Sequence, residues 1–164
     1  MNKELVINVS AQGVQIALME DKKLVELHNE KADASFAVGD LYLGKVKKLI
    51  PGLNAAFVDV GFEKDAFLHY TDLSPYAKSL LKFTQISINT PVQSQQDFSN
   101  FTVEPEIVKT GKINEVLGQK PNVLVQILKE PIAAKGPRLS CEISLAGRFV
   151  VITPFNDKIG RAHV

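Results

Sequence analysis

Between Leu41 and Tyr70 the chain turns before any apolar run has grown long enough to be a helix. The runs LYLGKVKKLI, AAFVDVG and DAFLHY are rich in Val, Leu and Phe, and Pro51-Gly52 and GFEK separate them. Short runs of this composition between turn signals are strands. This stretch is therefore committed to β structure, and the segments on either side have to be fitted around it.

Upstream, LVINV, VQIALME and KLVELHN within Glu4–Asn29 are three more short apolar runs, with polar breaks at SAQG and EDKK. They predict a three-stranded meander. NEKADASFAVGD is a polar connection, and a second module is expected to start near Phe36. Downstream, the β pattern is lost at TDLSPYAKSLLKF, which is helical at best, and Thr84 to Asn100 is rich in Gln, Asn, Ser and Thr. That stretch reads as an exposed insertion. Strand character returns at Asn122 to Leu128 and in GPRLSCEIS. Five strands with a polar excursion between the third and fourth fit a small Greek-key barrel of the OB type. A sandwich with the N-terminal meander fits the same pattern. LAGRFVVITPF is a further apolar β segment, and its simplest home is beside the meander. The barrel would then be an insertion, with 1–35 and 141–158 in one unit and 36–140 in the other.

Phe57 and Phe67 are the residues in this stretch that the fold does not require. An aromatic in a strand is ordinarily core. Here alternation puts Val58 and Val60 on the face opposite Phe57, and Leu68 opposite Phe67, so aliphatic side chains can fill the barrel while both rings share its outer face. OB-type barrels use such a face to stack bases. Lys45, Lys47 and Lys48 on the first barrel strand, with Lys135 and Arg138 in AAKGPR, could track a phosphate backbone; edge-strand lysines serve solubility equally well. His69 is either a third stacking group or a surface histidine.

Bulk composition narrows the alternatives. The chain has 164 residues, 45% hydrophobic and 23% charged, with a net charge of +1, so any attraction for nucleic acid has to be local. One cysteine, Cys141, and three scattered histidines give no disulfide and no zinc-ligand spacing. MNKELVINVS is not a signal peptide, and no window supplies a membrane span, so a soluble, cytoplasmic protein is expected. Asp59 and Asp65 straddle Gly61 without a readable paired-carboxylate or metal geometry. There is no Ser-His-Asp arrangement, no P-loop and no dinucleotide fingerprint. No catalytic or metal-binding residue is assigned.

The stretch YLGKVKKLIPGLNAAFVDVGFEKDAFLH, followed by GQKPNVLVQILKEPIAAKGPRLSCEISLAGRFVVITP, resembles the amino-terminal part of the ribonuclease E/G family, over residues 2–158. The long patterns G-K-V-x-K-x-x-P-G-L-x-A-A-F-V-D-V-G and K-G-x-R-L-S carry the resemblance. It implies a mainly β fold, an S1-type OB-fold RNA-binding barrel inserted into an incomplete RNase H-like α/β subdomain. It also implies that Phe57, Phe67 and Lys135 contact single-stranded RNA, and that Gly147 to Val151 contribute to a pocket for a 5′-monophosphate end. Lys45, Lys47 and His69 are candidate supporting contacts.

The family's activity is implied to be cleavage of single-stranded RNA in rRNA and tRNA maturation and mRNA decay. Its magnesium-binding aspartates and a zinc-sharing cysteine pair lie beyond this stretch, as do an arginine and a threonine that complete the 5′ pocket. This piece is thus expected to bind RNA without cutting it and to hold no cofactor, and homo-oligomers are expected of the intact enzyme only. The polar insertion is the main departure from the pattern. Ile159 to Val164 match the translation of a common sequencing-library adapter, so a read-through tail is expected and Arg161 and His163 enter no functional argument. The rival readings are a free-standing S1-type RNA-binding module without nuclease activity and a protein-docking OB domain.

Overall fold

The computed structural model describes residues 2–31, 36–90, 98, 100–147 and 149–156. Two compact units divide the chain, 1–35 and 36–164. In the first, β1 (Lys3–Ser10), β2 (Gly13–Glu20) and β3 (Lys23–Lys31) form the expected antiparallel meander in the order β1-β2-β3. The turn between β2 and β3 places Asp21 and Lys22 at positive φ, at 46° and 64°.

The second unit is built on a closed five-stranded barrel. Its strands are β4 (Leu41–Ile50), β5 (Ala55–Asp59), β6 (Ala66–His69), β7 (Asn122–Lys129) and β8 (Arg138–Ser140), in the cyclic order β4-β5-β6-β8-β7. Counted within the barrel this is 1-2-3-5-4, with the third and fifth strands parallel and every other pair antiparallel. That is the closed Greek-key arrangement of an OB fold, so the barrel is the structure and the sandwich is excluded. Alternation fills it: Val46, Ala56, Val58, Ala66, Leu68, Val123, Val125, Ile127 and Leu139 point inward and are 0–2% exposed.

Two helices join this core. α1 (Ala77–Asn89) contributes Ala77 and Leu80, and α2 (Ile113–Leu117) contributes Ile113 and Leu117. α1 corrects the boundary of the expected insertion, because Thr84 to Asn89 are helical. Leu80, Leu81 and Thr84 fall on one face at helical spacing. The buried Thr84 hydroxyl donates to the Leu80 carbonyl at 2.7 Å, and the buried Ser79 hydroxyl accepts from the Glu104 N–H at 2.8 Å. Thr84 thus counts as polar in the composition although it is buried and bonded within the helix, while Gln85 and Asn89 are exposed. Of the remainder, residues 91–97 and 99 lie outside the described residues. Phe98 and Phe101 pack with Phe83 and Phe155 in a cluster of rings at centroid spacings of 5.1–6.5 Å.

After the barrel, Cys141 and Ile143 stay in its core, with Phe155 packed against it. β9 (Leu145–Ala146) and β10 (Val151–Ile152) then pair with each other, with Val151 opposite Ala146. The expected strand at LAGRFVVITPF is therefore, among the described residues, one local hairpin. Its four-residue connection makes closure inexpensive in chain entropy. Ile159 to Val164, the expected tail, lie outside the described residues.

Candidate nucleic-acid interface

The outer face of β5 and β6 carries the two rings. Phe57 and Phe67 stand directly opposite each other in the antiparallel register, with centroids 6.0 Å apart and planes at 68°. Both are half-buried, while Val58 and Leu68 between them are fully buried in the barrel and Val60 nearly so. Cross-strand pairing at this spacing follows from the sheet itself, since side chains opposite one another share a face. His69 continues the row along β6, 6.4 Å from Phe67 and inclined to it by 28°. Its Nδ1 accepts the Thr71 N–H at 3.2 Å and lies 2.7 Å from the Thr71 hydroxyl. A ring nitrogen that accepts an N–H cannot carry the proton of a neutral imidazole, so Nε2 is then the donor.

Lys135 reaches this face from the connection between β7 and β8. A bridge between Ile132 and Lys135 tightens that loop, Ala133 turns it at φ 51°, and the Phe67 N–H donates to the Pro137 carbonyl at 2.9 Å. Gly136 sits directly on the backbone of the GFEK turn: a β-carbon there would lie 2.3 Å from the Asp65 carbonyl oxygen. Only glycine lets the two loops approach this closely. Together they frame an open groove of about 560 Å³, lined by Phe57, Phe67, Lys64, Asp65, Ala134, Lys135 and Gly136. The sequence reading missed Lys64, because only the turn's placement brings it here.

The lysines of β4 divide. An irregularity between Val46 and Lys48 lets Lys48 pair with Phe57 while Lys47 is the extra residue. Lys48 thereby flanks the rings, and Lys45 pairs with Asp59, two residues along β5 from Phe57. Lys47 bridges two carboxylates, with Nζ 3.0 Å from Asp59 Oδ2 and 3.0 Å from Asp65 Oδ1. These hydrogen bonds to Asp59 and Asp65 raise the Lys47 ammonium above its usual range. The Gly61 N–H, with Lys47 after it, holds the Asp59 carboxyl below its own.

At the other flank, Arg138 pairs in parallel register with Phe67. Its Nε donates to Asp72 Oδ2 at 2.9 Å and its Nη2 to Asp72 Oδ1 at 3.1 Å. This Asp72 partner was also not legible, since 66 residues separate the two. Gly147 and Val151, expected in a 5′-end pocket, lie on the exposed β9–β10 hairpin, where the Gly147 N–H donates to the Val150 carbonyl at 2.8 Å. They are not among the residues that line the groove at the rings. Among the described residues no three His, Cys, Asp or Glu side chains converge to hold a metal ion, and no helix is long and apolar enough to cross a membrane.

Such a face offers flat apolar surfaces to bases and flanking cations to phosphates. No family model matches the chain. Among curated proteins it is similar to Ribonuclease G of Escherichia coli strain K12, 31% identical over 160 residues, which is 98% of this chain and 29% of the relative. Ribonuclease G of Haemophilus influenzae is 33% identical over 157 residues, 96% of this chain and 28% of the relative. Ribonuclease E of a Nostoc species is 35% identical over 157 residues, 94% of this chain and 18% of the relative. The chain thus spans less than a third of the length of these relatives.

Proposed function

The chain belongs to the ribonuclease E/G family, and from that membership and the outward-facing ring pair we propose that it is the RNA-binding amino-terminal part of an endoribonuclease that cleaves single-stranded RNA in rRNA and tRNA maturation and mRNA decay. The observation that carries this reading is the cross-strand pairing of Phe57 with Phe67 on the outside of a barrel that aliphatic side chains already fill. Their 6.0 Å separation exceeds the rise of about 3.4 Å between stacked nucleotides of a duplex strand. The rings therefore suit bases drawn apart from one another, as in a single strand. Lys135, Lys45 and Lys48 supply attraction for phosphates, and His69 extends the stacking row.

In this reading, 1–35 and the part of 141–158 that follows the barrel-core residues Cys141 and Ile143 belong to an RNase H-like subdomain into which the barrel is inserted, and Gly147 and Val151 belong to a partial 5′-monophosphate site. The magnesium of the intact enzyme, which would supply water activation, and its zinc are assigned to parts of the relatives that this chain does not cover. The described carboxylates do not fit either ion, and no cleavage step is derived from them. A free-standing RNA-binding module would use the same face.

Titration of a fluorescent single-stranded oligoribonucleotide and of its duplex tests the reading. Preferential binding of the single strand is expected. Base–aromatic stacking is worth roughly 1–3 kcal/mol per base, so Phe57→Ala and Phe67→Ala should each weaken it about five- to over a hundredfold. Equal affinity for duplex, or a single-strand affinity unmoved by either substitution, would overturn it.

A further inference from the structure

Four strands place Lys48, Phe57, Phe67 and Arg138 side by side: Lys48 pairs with Phe57, Phe57 with Phe67, and Phe67 with Arg138. Partners across a ladder share a face, so a strand of nucleic acid crossing the sheet here meets cation, ring, ring and cation in that order. Neighbouring strands are about 4.8 Å apart, which makes the row roughly 14 Å long.

Arg138 differs from the lysines in being aimed. Asp72 takes its Nε and Nη2 with two hydrogen bonds of 2.9 and 3.1 Å. The Asp72 side chain is 12% exposed and that of Arg138 is 39% exposed, so the carboxylate is the buried anchor and the guanidinium reaches the surface. Asp72 is itself fixed, because its backbone carbonyl accepts the Cys141 N–H at 2.8 Å and the Ser140 hydroxyl at 3.1 Å. A guanidinium has five N–H donors in a rigid plane. With one edge given to Asp72, the two Nη1 hydrogens and the second on Nη2 remain, and among the described residues they have no protein partner. The free edge has the fork geometry that binds phosphate oxygens in pairs.

We propose that Arg138 binds a backbone phosphate of single-stranded RNA next to the base held on Phe67, with Asp72 as the positioning residue that fixes its plane. The proposal rests on the RNA-binding reading above and adds to it a phosphate site with a defined orientation. Its ordinary rival is an ion pair that only ties β8 to the 70–72 turn.

Anisotropy titrations of the full chain with a fluorescein-labelled single-stranded oligoribonucleotide, over a series of salt concentrations, separate the two. Arg138→Gln keeps a donor within reach of Asp72 and removes the charge. One phosphate contact fewer should flatten the slope of log affinity against log salt by about 0.7 and weaken binding about fivefold at 0.1 M salt. Arg138→Lys should restore the slope and leave affinity two- to fivefold short, because an ammonium lacks the fork. Wild-type affinity and slope in Arg138→Gln would overturn the proposal, whatever its melting temperature. Should that variant fail to fold, Arg138→Lys decides, and unchanged affinity there sinks the idea. A folded wild-type chain that binds no single strand would defeat this inference and the underlying reading together. Loss of binding in Phe67→Ala with no change in either Arg138 variant would defeat this inference alone.

Discussion

On the RNA-binding reading, Lys47 is a side chain that acts on binding through its neighbours and not by touching the ligand. Held between Asp59 and Asp65, it offsets one of the two negative charges that would otherwise stand beside the ring pair and repel phosphates. Asp59, with its pKa lowered, contributes to stability above the ordinary carboxylate range and loses that contribution as pH falls through the lowered value. Lys47, with its pKa raised, contributes fully below the ordinary lysine value and loses that contribution as pH rises through the raised one. The Lys47–Asp59 pair is thus intact across the neutral range. Lys47→Ala is expected to weaken RNA binding several-fold, and Asp59→Asn with Asp65→Asn in the same chain should restore it. Failure of that rescue would mean that Lys47 meets phosphate itself. Cys141 makes a second residue-scale case. Complete burial, with the charge of Asp72 after it, pushes its thiol up to about 12. The native chain should therefore resist alkylation at pH 8 and react only when unfolded. Rapid labelling of the native protein would show that the core around β8 opens.

At the scale of elements, the interface depends on two loops pressed together. The β7–β8 connection carries Lys135 and the β5–β6 turn carries Lys64, and Gly136 sets their separation. Gly136→Ala places a methyl group against the Asp65 and Lys64 carbonyls, which are backbone and cannot rotate away. Strain or overpacking of this kind costs about 1–3 kcal/mol, and relief requires the loop bearing Lys135 to move off the rings. Single-strand affinity should fall about as far as in Lys135→Ala, together with a lower melting temperature. A variant that melts early yet binds normally would show that the loop's position is immaterial to RNA. Asn54 is a comparable joint on the far side. At φ 50° it ends the turn before β5, while its side chain donates to the Gly111 carbonyl at 3.0 Å and accepts the Ile113 N–H at 2.7 Å.

For the whole molecule, a net charge of +1 rules out a global field as the source of affinity. On the proposed reading, attraction is gathered instead on one face by Lys45, Lys48, Lys64, Lys135 and Arg138. Binding and cutting should accordingly separate in this chain. Activation of water by metal needs carboxylates converging on one ion; among the described residues no three His, Cys, Asp or Glu side chains do so, and Asp59 and Asp65, which converge, are held by Lys47. Purified chain incubated with end-labelled single-stranded RNA and magnesium is expected to shift the RNA in a gel without shortening it. Metal-dependent cleavage at defined positions would show that a nuclease centre lies within these residues.

Strands β5 and β6 and the outward turn of Phe57 and Phe67 were legible in the residues from Ala55 to His69. A period of two assigns each side chain to a face by local geometry alone, and Val58, Val60 and Leu68 already supplied the core. The Greek-key closure of the barrel was legible too, whereas the extension of the helix through Thr84 and the local pairing of the hairpin at LAGRFVV were not, because a polar composition does not show which hydroxyls are buried and an apolar run does not show which strand it pairs with. Closure of the barrel alone brought Asp72 to Arg138, Asp65 to Lys47 and Gly136 onto the β5–β6 turn. Polar side chains reveal their role only when a partner dozens of residues away arrives within hydrogen-bonding distance, whereas an aliphatic side chain needs only an inside. The sequence therefore determined which faces are apolar and where the chain turns, and the tertiary structure decided which charges are spent on one another and which are left for a ligand.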